Sequence, residues 1–188
     1  MTQATRGADV VDELTTDHRE ATELLDRILT TSDPETRRDM ADTVITELVR
    51  HSVAEEMYVY PVIEETFPDG KKVVEHDIEE HKELESTMKE LESLDATDAS
   101  FTEVVGRLRE QLHHHATDEE DEQFPRLRTY VPREKLVEMR EQVDKAKKLA
   151  PTRPHPGAPN NEVFHKLVGP GVGLMDRVRD KLTGRTTA

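Results

Sequence analysis

Two stretches of the chain read alike: His51-x-x-x-Glu55-Glu56-x-x-x-Tyr60-Pro61 and His115-x-x-x-Glu119-Glu120-x-x-x-Phe124-Pro125. Each follows a segment with a shorter match, Asp17-His18-Arg19-Glu20 in the first half and Glu80-His81-Lys82-Glu83 in the second. A chain built this way uses one two-segment unit twice. The spacing of apolar residues says what that unit is. In the first segment, about Asp9 to Leu29, Val11, Leu14, His18, Ala21, Leu25 and Ile28 recur at three- and four-residue intervals, which is one face of a helix.

The second segment opens on Ser32-Asp33-Pro34, with Asp33 as N-cap and Pro34 at the first helical position, and runs to about Thr66. Its seam is Met40, Val44, Leu48, His51, Glu55, Tyr58 and Val62, and Pro61 is expected to kink it. After the turn Phe67-Pro68-Asp69-Gly70, a third segment from Lys71 to Leu94 carries Val74, Asp77, His81, Leu84, Met88 and Leu91 on one face. The fourth has Phe101, Val104 or Val105, Leu108, Leu112, His115, Glu119 and Glu122, with Pro125 near its end. A shorter fifth helix spans Arg133 to Leu149. Short connections between long helices make neighbours antiparallel. The expected fold is all-α: an up-down-up-down four-helix bundle plus short fifth helix over residues 8–149, followed by a Pro-rich linker and amphipathic tail over 150–188. In the tail, Gly169-Pro170-Gly171 reads as an interruption. Val163, Phe164, Leu167, Leu174, Met175, Val178 and Leu182 offer apolar surface for the bundle, a second copy or a protein partner.

Composition removes several classes of function. A net charge of -15 opposes nucleic-acid binding and adhesion to anionic membranes. Without cysteine there are no disulfides, iron–sulfur clusters, thiolate zinc sites or cysteine nucleophiles. No stretch approaches the length of an apolar membrane span and no signal core opens the chain, so a cytoplasmic location is expected.

Residues four apart on a helix lie about 40° apart on one face, so His51 and Glu55, and likewise His115 and Glu119, point into the same space. His18, His51, Glu55, His81, His115 and Glu119 all occupy seam positions where Leu, Val or Met otherwise stand. One histidine in such a seam is ordinarily a satisfied core residue. Six ionisable groups together are another matter. Burying each without a partner costs several kcal/mol, against a total stability of roughly 5–15 kcal/mol. A pair of metal ions removes that cost. Imidazole and carboxylate without sulfur suit iron, manganese or zinc.

With these motifs the stretch from Asp9 to Leu149 resembles a hemerythrin-like (HHE cation-binding) domain of the bacterial type, carrying a Pro-rich C-terminal extension. The resemblance implies two iron ions in a non-haem centre bridged by oxo or hydroxo. It implies Glu55 and Glu119 as bridging ligands, His18 and His51 on one iron, and His81 and His115 on the other. Such a centre binds or reacts with O2, peroxide or NO in sensing, storage or detoxification.

The oxygen carriers of that family place a second histidine four residues before the one on their third helix, where this chain has Asp77. His76 lies about 140° around the helix from His81. Asp77 and His76 are thus additional candidates for metal contact, as are Tyr58 and Glu122 at equivalent points of the two halves. Glu56 and Glu120 fall off the seam, and His113 and His114 read as surface residues. No residue is assigned a catalytic role, and a peroxide- or NO-reactive activity stays open. Two other readings are a ferritin-like iron-handling oxidase and a helical interaction module with a structural metal. The first needs Glu-x-x-His on two bundle helices, and Glu110-x-x-His113 is the bundle match, with Glu162-x-x-His165 in the tail.

Overall fold

The structure, a computed structural model, describes residues 8–157, 169–183 and 185. Among these it is helical without strands. The helices are α1 (Val10–Thr30), α2 (Pro34–Tyr58), α3 (Tyr60–Thr66), α4 (Gly70–Ser93), α5 (Ala99–Asp118), α6 (Phe124–Tyr130), α7 (Arg133–Leu149) and α8 (Gly169–Thr183). A π-helical turn, Glu119–Gln123, joins α5 to α6.

Local chemistry sets the helix starts. Asp9 accepts from the amides of Val11 and Asp12, and the Asp12 carboxylate accepts from the Asp9 amide at 2.9 Å, closing a capping box. Asp33 accepts from the Thr36 amide at 2.8 Å, with Pro34 in the first turn, as its sequence position implies.

The two prolines of the repeated motif act alike. A proline cannot donate, and its ring excludes the carbonyl four residues back. Before Pro61 the helix breaks at Val59, so the expected single segment to Thr66 is α2 plus α3. Before Pro125 the chain widens into the π turn, closed by the Phe124 amide donating to the Glu119 carbonyl. The extra residue moves the inward register forward. Gln123 is buried and Glu122 is exposed, contrary to the seam expected from an unbroken helix. In the first half, Val59 and Tyr60 are buried while Tyr58 is only half-buried.

α1 packs against α2 and α5, and α4 against α5, α2 and α3, while α7 lies across α1 and α2. The apolar core is in two blocks. One gathers Leu25, Ile28, Val44, Met88, Leu91 and Phe101; the other gathers Leu14, Ile63, Val74, Phe124, Leu127 and Met139. α1 and α4 run from the second block to the first, and α2 and α5 run back. Each crosses a polar layer between the blocks.

Gly70 starts α4 where it nearly touches α3: a Cβ there would lie 2.2 Å from the Ile63 carbonyl oxygen. The C-terminal arm folds back onto the bundle. The Thr46 hydroxyl donates to the Thr152 carbonyl at 3.2 Å, and Arg153 pairs with Glu92 at 2.6 Å and with Asp180 of α8 at 2.7 Å. Gly169 and Gly171 lie at the start of α8, which begins with the glycine–proline stretch. Leu174, Met175 and Val178 face solvent. Val163, Phe164, Leu167, Glu162, His165 and the Leu182 side chain lie outside the described residues.

Gly70→Ala is expected to destabilise the fold by about 1–3 kcal/mol, because backbone has to move to admit the methyl group. Urea unfolding checks this; an unchanged midpoint would mean that α3 and α4 are not held this closely.

Candidate metal centre

The polar layer is where the repeated histidines and glutamates meet. Helices α1, α2, α4 and α5 bring in His18, His51, His81 and His115, and Glu55 and Glu119 complete the group, each no more than 2% exposed. The rings meet in pairs through their Nε2 atoms, His18 with His51 at 3.1 Å and His81 with His115 at 3.3 Å.

Each glutamate spans both pairs. Glu55 Oε2 lies 3.1 Å from His51 Nε2 and 3.4 Å from His81 Nε2. Glu119 Oε2 lies 3.3 Å from His18 Nε2 and 3.7 Å from His115 Nε2. Both oxygens of Glu55 and Oε2 of Glu119 are buried yet accept no well-formed hydrogen bond. Buried carboxylate oxygens rarely lack a partner, because losing water is costly.

On the far side of every ring Nδ1 faces a carboxylate. His51 donates to Asp17 at 3.0 Å, His115 to Glu80 at 2.9 Å, His18 to Glu120 at 2.8 Å and His81 to Glu56 at 2.9 Å. A proton held on Nδ1 turns the Nε2 lone pair inward, the arrangement by which carboxylates orient and strengthen imidazole ligands. The pattern obeys the repeat. The residue before the histidine of α1 or α4 supports the histidine of α2 or α5, and the residue after Glu55 or Glu119 supports the histidine of α4 or α1. Asp17 and Glu80 already stood in the matched motif; their partners lie on other helices, which spacing along one helix does not reveal.

The aromatic residues also correspond, with one difference. Phe124 stacks on His18 with ring planes 5° apart, and Tyr60 stacks on His81 at 28°. Only Tyr60 carries a hydroxyl, and it lies 3.0 Å from His81 Nε2 and 3.4 Å from Glu119 Oε1. It is Tyr60 of the repeated motif, and not Tyr58 as the helical spacing suggests, that reaches the cluster. Asp77 is buried beside the layer and accepts from the Gln123 amide at 2.9 Å. Its second oxygen is unpartnered. His76, Tyr58 and Glu122 lie outside the cluster: His76 and Glu122 are exposed and Tyr58 is half-buried.

Electrostatics follow from burial of so many charges. Burial opposes ionisation of His18, but Glu119 and Glu120 outweigh it and raise its pKa to about 10. His51 and His81 are raised in the same way, against burial, by neighbouring carboxylates. Burial also opposes the charge on Glu55, yet His51 and His81 hold it well below the usual range. Burial, then the charge of Glu119, pushes Asp77 up to about 8.

The donor atoms of His18, His51, His115 and Glu119 lie within 4.8 Å of one another, and so do those of Glu55, His81 and His115. Four inward Nε2 atoms and carboxylate oxygens without donors fit a cation-binding centre. Fold and site together define a helical cation-binding protein. Residues 9–127 match the family described as Hemerythrin HHE cation binding domain, and the chain belongs to that family. A hemerythrin-like protein of Schizosaccharomyces pombe, described as uncharacterized, is 30% identical over 174 residues, covering 92% of this chain and 86% of the relative. That likeness continues past the matched domain into α7 and the arm.

Two outcomes follow. His51→Ala and His115→Ala are expected to lower the metal held by the buried centre, and the melting temperature, to a similar degree, while His114→Ala changes neither. Metal analysis without added zinc and thermal melts check this; loss of the buried metal in the His114 variant alone would contradict the register of α5. Metal uptake by chelator-stripped protein at pH 7 is expected to release protons, because His18 with a pKa of about 10 is charged there and must shed its Nε2 proton to ligate. Apparent affinity therefore rises with pH through this range. Calorimetry in buffers of different ionisation enthalpy measures the release; uptake without it would mean that His18 does not ligate.

Proposed function

We propose that this protein holds two iron ions in an up-down-up-down four-helix bundle and uses them on O2, peroxide or NO. His18 and His51 serve one iron and His81 and His115 the other, with Glu55 and Glu119 bridging. The observation that carries the reading is that each glutamate reaches one histidine of each pair while all four rings are oriented by carboxylates. Nitrogen and oxygen donors without sulfur suit iron as they suit manganese or zinc, the family description names cation binding, and the choice of iron rests on the resemblance. When bound, such a pair supplies two-electron redox chemistry toward small oxygen or nitrogen species.

The chain's own groups decide what reaches the centre. With the ligand side chains almost fully buried, small molecules are favoured over large ones. A cleft of about 440 Å³ between α1 and α5, lined by Thr15, Arg19, His113 and Thr117, leads to His18 and Glu120. The Tyr60 hydroxyl is placed to donate a hydrogen bond beside His81 and Glu119. Burial, then the surrounding carboxylates, raises its pKa well above the ordinary value, so it serves as a neutral donor in the metal-free chain. Asp77, fixed by Gln123, is a second group that can hold a proton near Glu119.

A ferritin-like ligand set gains no support, since Glu110 and His113 both face solvent. The exposed Leu174, Met175 and Val178 of α8 offer apolar surface for a second copy or another protein. No helix among the described residues is long and apolar enough to cross a membrane.

Protein from iron-replete cells is expected to carry about two irons per chain, and elemental analysis finding one metal, or chiefly zinc, would overturn the reading. Tyr60→Phe is expected to keep the iron and shift the ferric absorption bands. Unchanged bands and unchanged reaction with peroxide would reduce Tyr60 to a packing residue.

A further inference from the structure

Outside the buried layer, the structure brings a second set of metal-binding side chains together across α4 and α5. His76 and Glu80 are four residues apart on α4, and His114 and Asp118 are four apart on α5. His76 Nε2 lies 3.5 Å from Glu80 Oε1 and 3.7 Å from Asp118 Oδ2. His114 faces the same two carboxylates, with Nε2 3.8 Å from Glu80 Oε1 and Nδ1 3.7 Å from Asp118 Oδ1. We propose that these four residues form an outer site that binds one divalent transition-metal ion of the zinc class, separate from the buried centre but sharing Glu80 with its support.

The distances bear on this. A hydrogen-bonded ion pair settles at about 2.7–3.2 Å. Donors around one tetrahedral ion with bonds near 2.1 Å stand about 3.4 Å apart. The separations of 3.5–3.8 Å are long for ion pairs and close to that spacing. His76, Glu80 and Asp118 each present one donor atom, all within 4.8 Å of one another. His114 stands beside them with different nitrogens toward the two acids, Nε2 toward Glu80 and Nδ1 toward Asp118, and would add a fourth donor through one of them. Two carboxylates and the imidazole of His76, joined by that of His114, would then surround a doubly charged ion.

Pairs of histidine and acid at this spacing on solvated helices are ordinarily weak surface contacts, worth about 0–1 kcal/mol. Two further observations separate this cluster from that case. Glu80 is fixed from within, because its Oε2 accepts from His115 Nδ1 at 2.9 Å and leaves Oε1 facing the two outer histidines. The first half of the chain also shows what stands at the equivalent place. There Asp17 supports His51 as Glu80 supports His115, and the oxygen that accepts from His51, Oδ2, also meets a cation, the Lys147 ammonium of α7, which contacts Glu13 at 3.3 Å. The position in the repeat that Glu13 fills before Asp17 is filled by His76 before Glu80. A metal ion held by His76, Glu80, His114 and Asp118 supplies the positive charge beside Glu80 that Lys147 supplies beside Asp17. This holds whichever metal fills the buried centre.

The test is zinc uptake by full-length protein whose buried centre is already loaded. Zinc and the resident metal are counted together by elemental analysis, and affinity is read by calorimetry. One additional zinc per chain is expected, without loss of resident metal. His76→Ala/His114→Ala is expected to weaken that uptake at least tenfold while keeping its resident metal, and Asp118→Asn to weaken it as well; His113→Ala binds as the parent does. All of these side chains except Glu80 are substantially exposed, so folding is retained and is checked by circular dichroism. Zinc that enters only by displacing resident metal, no zinc uptake by the parent, or equal uptake by the parent and the double variant would each overturn the proposal.

Discussion

Everything in this fold is arranged around the burial of charge in the middle of a helical bundle. His18, His51, His81, His115, Glu55 and Glu119 form a layer that splits the apolar core into two blocks. An isolated buried ion costs several kcal/mol even after the protein relaxes, so such a layer persists only with compensation on both sides. On the outside the compensation is visible, since four carboxylates take the four Nδ1 protons. On the inside the rings and the two glutamates face each other, and a bound cation would satisfy carboxylate oxygens that have no other donor. The apolar blocks above and below hold the layer in register, so it cannot relax by sliding toward water.

The repeat gives the layer near-symmetry, and the departures from symmetry are chemical. Phe124 and Tyr60 occupy matching places, but one is inert and the other brings a hydroxyl to His81 and Glu119. Asp77 and Gln123 add a buried acid and amide on that side. Asp17 is neutralised by Lys147, whereas Glu80 faces imidazoles. The two halves therefore present different environments with the same backbone plan.

Much of this was legible in the residues. Helical periodicity located α1, α4 and α7 almost to their ends and the starts of α2 and α5, but it ran the second and fourth segments through the breaks before Pro61 and Pro125. The six inward residues were legible because polar groups interrupted an apolar seam twice at one spacing. What escaped the reading depended on contacts between helices or on broken regularity. Glu122 was expected inside, and the π turn before Pro125 put Gln123 there instead. Tyr60 was hidden for a related reason, since the break at Val59 sets its direction. The roles of Asp17 and Glu80 required knowing which helix lies beside which. The docking of the arm through Thr152 and Arg153 rests on polar pairs that periodicity does not register.

Lys147 belongs to α7, beyond the residues that match the family. Through Asp17 it reaches His51, so the segment that follows the shared domain is electrically part of one half of the centre and not of the other. A change of charge at position 147 is therefore felt first by His51, through Asp17, and not by His81 or His115. Where relatives with the same inward residues differ in cation affinity, the place to look is the helix that comparisons of the domain alone leave out.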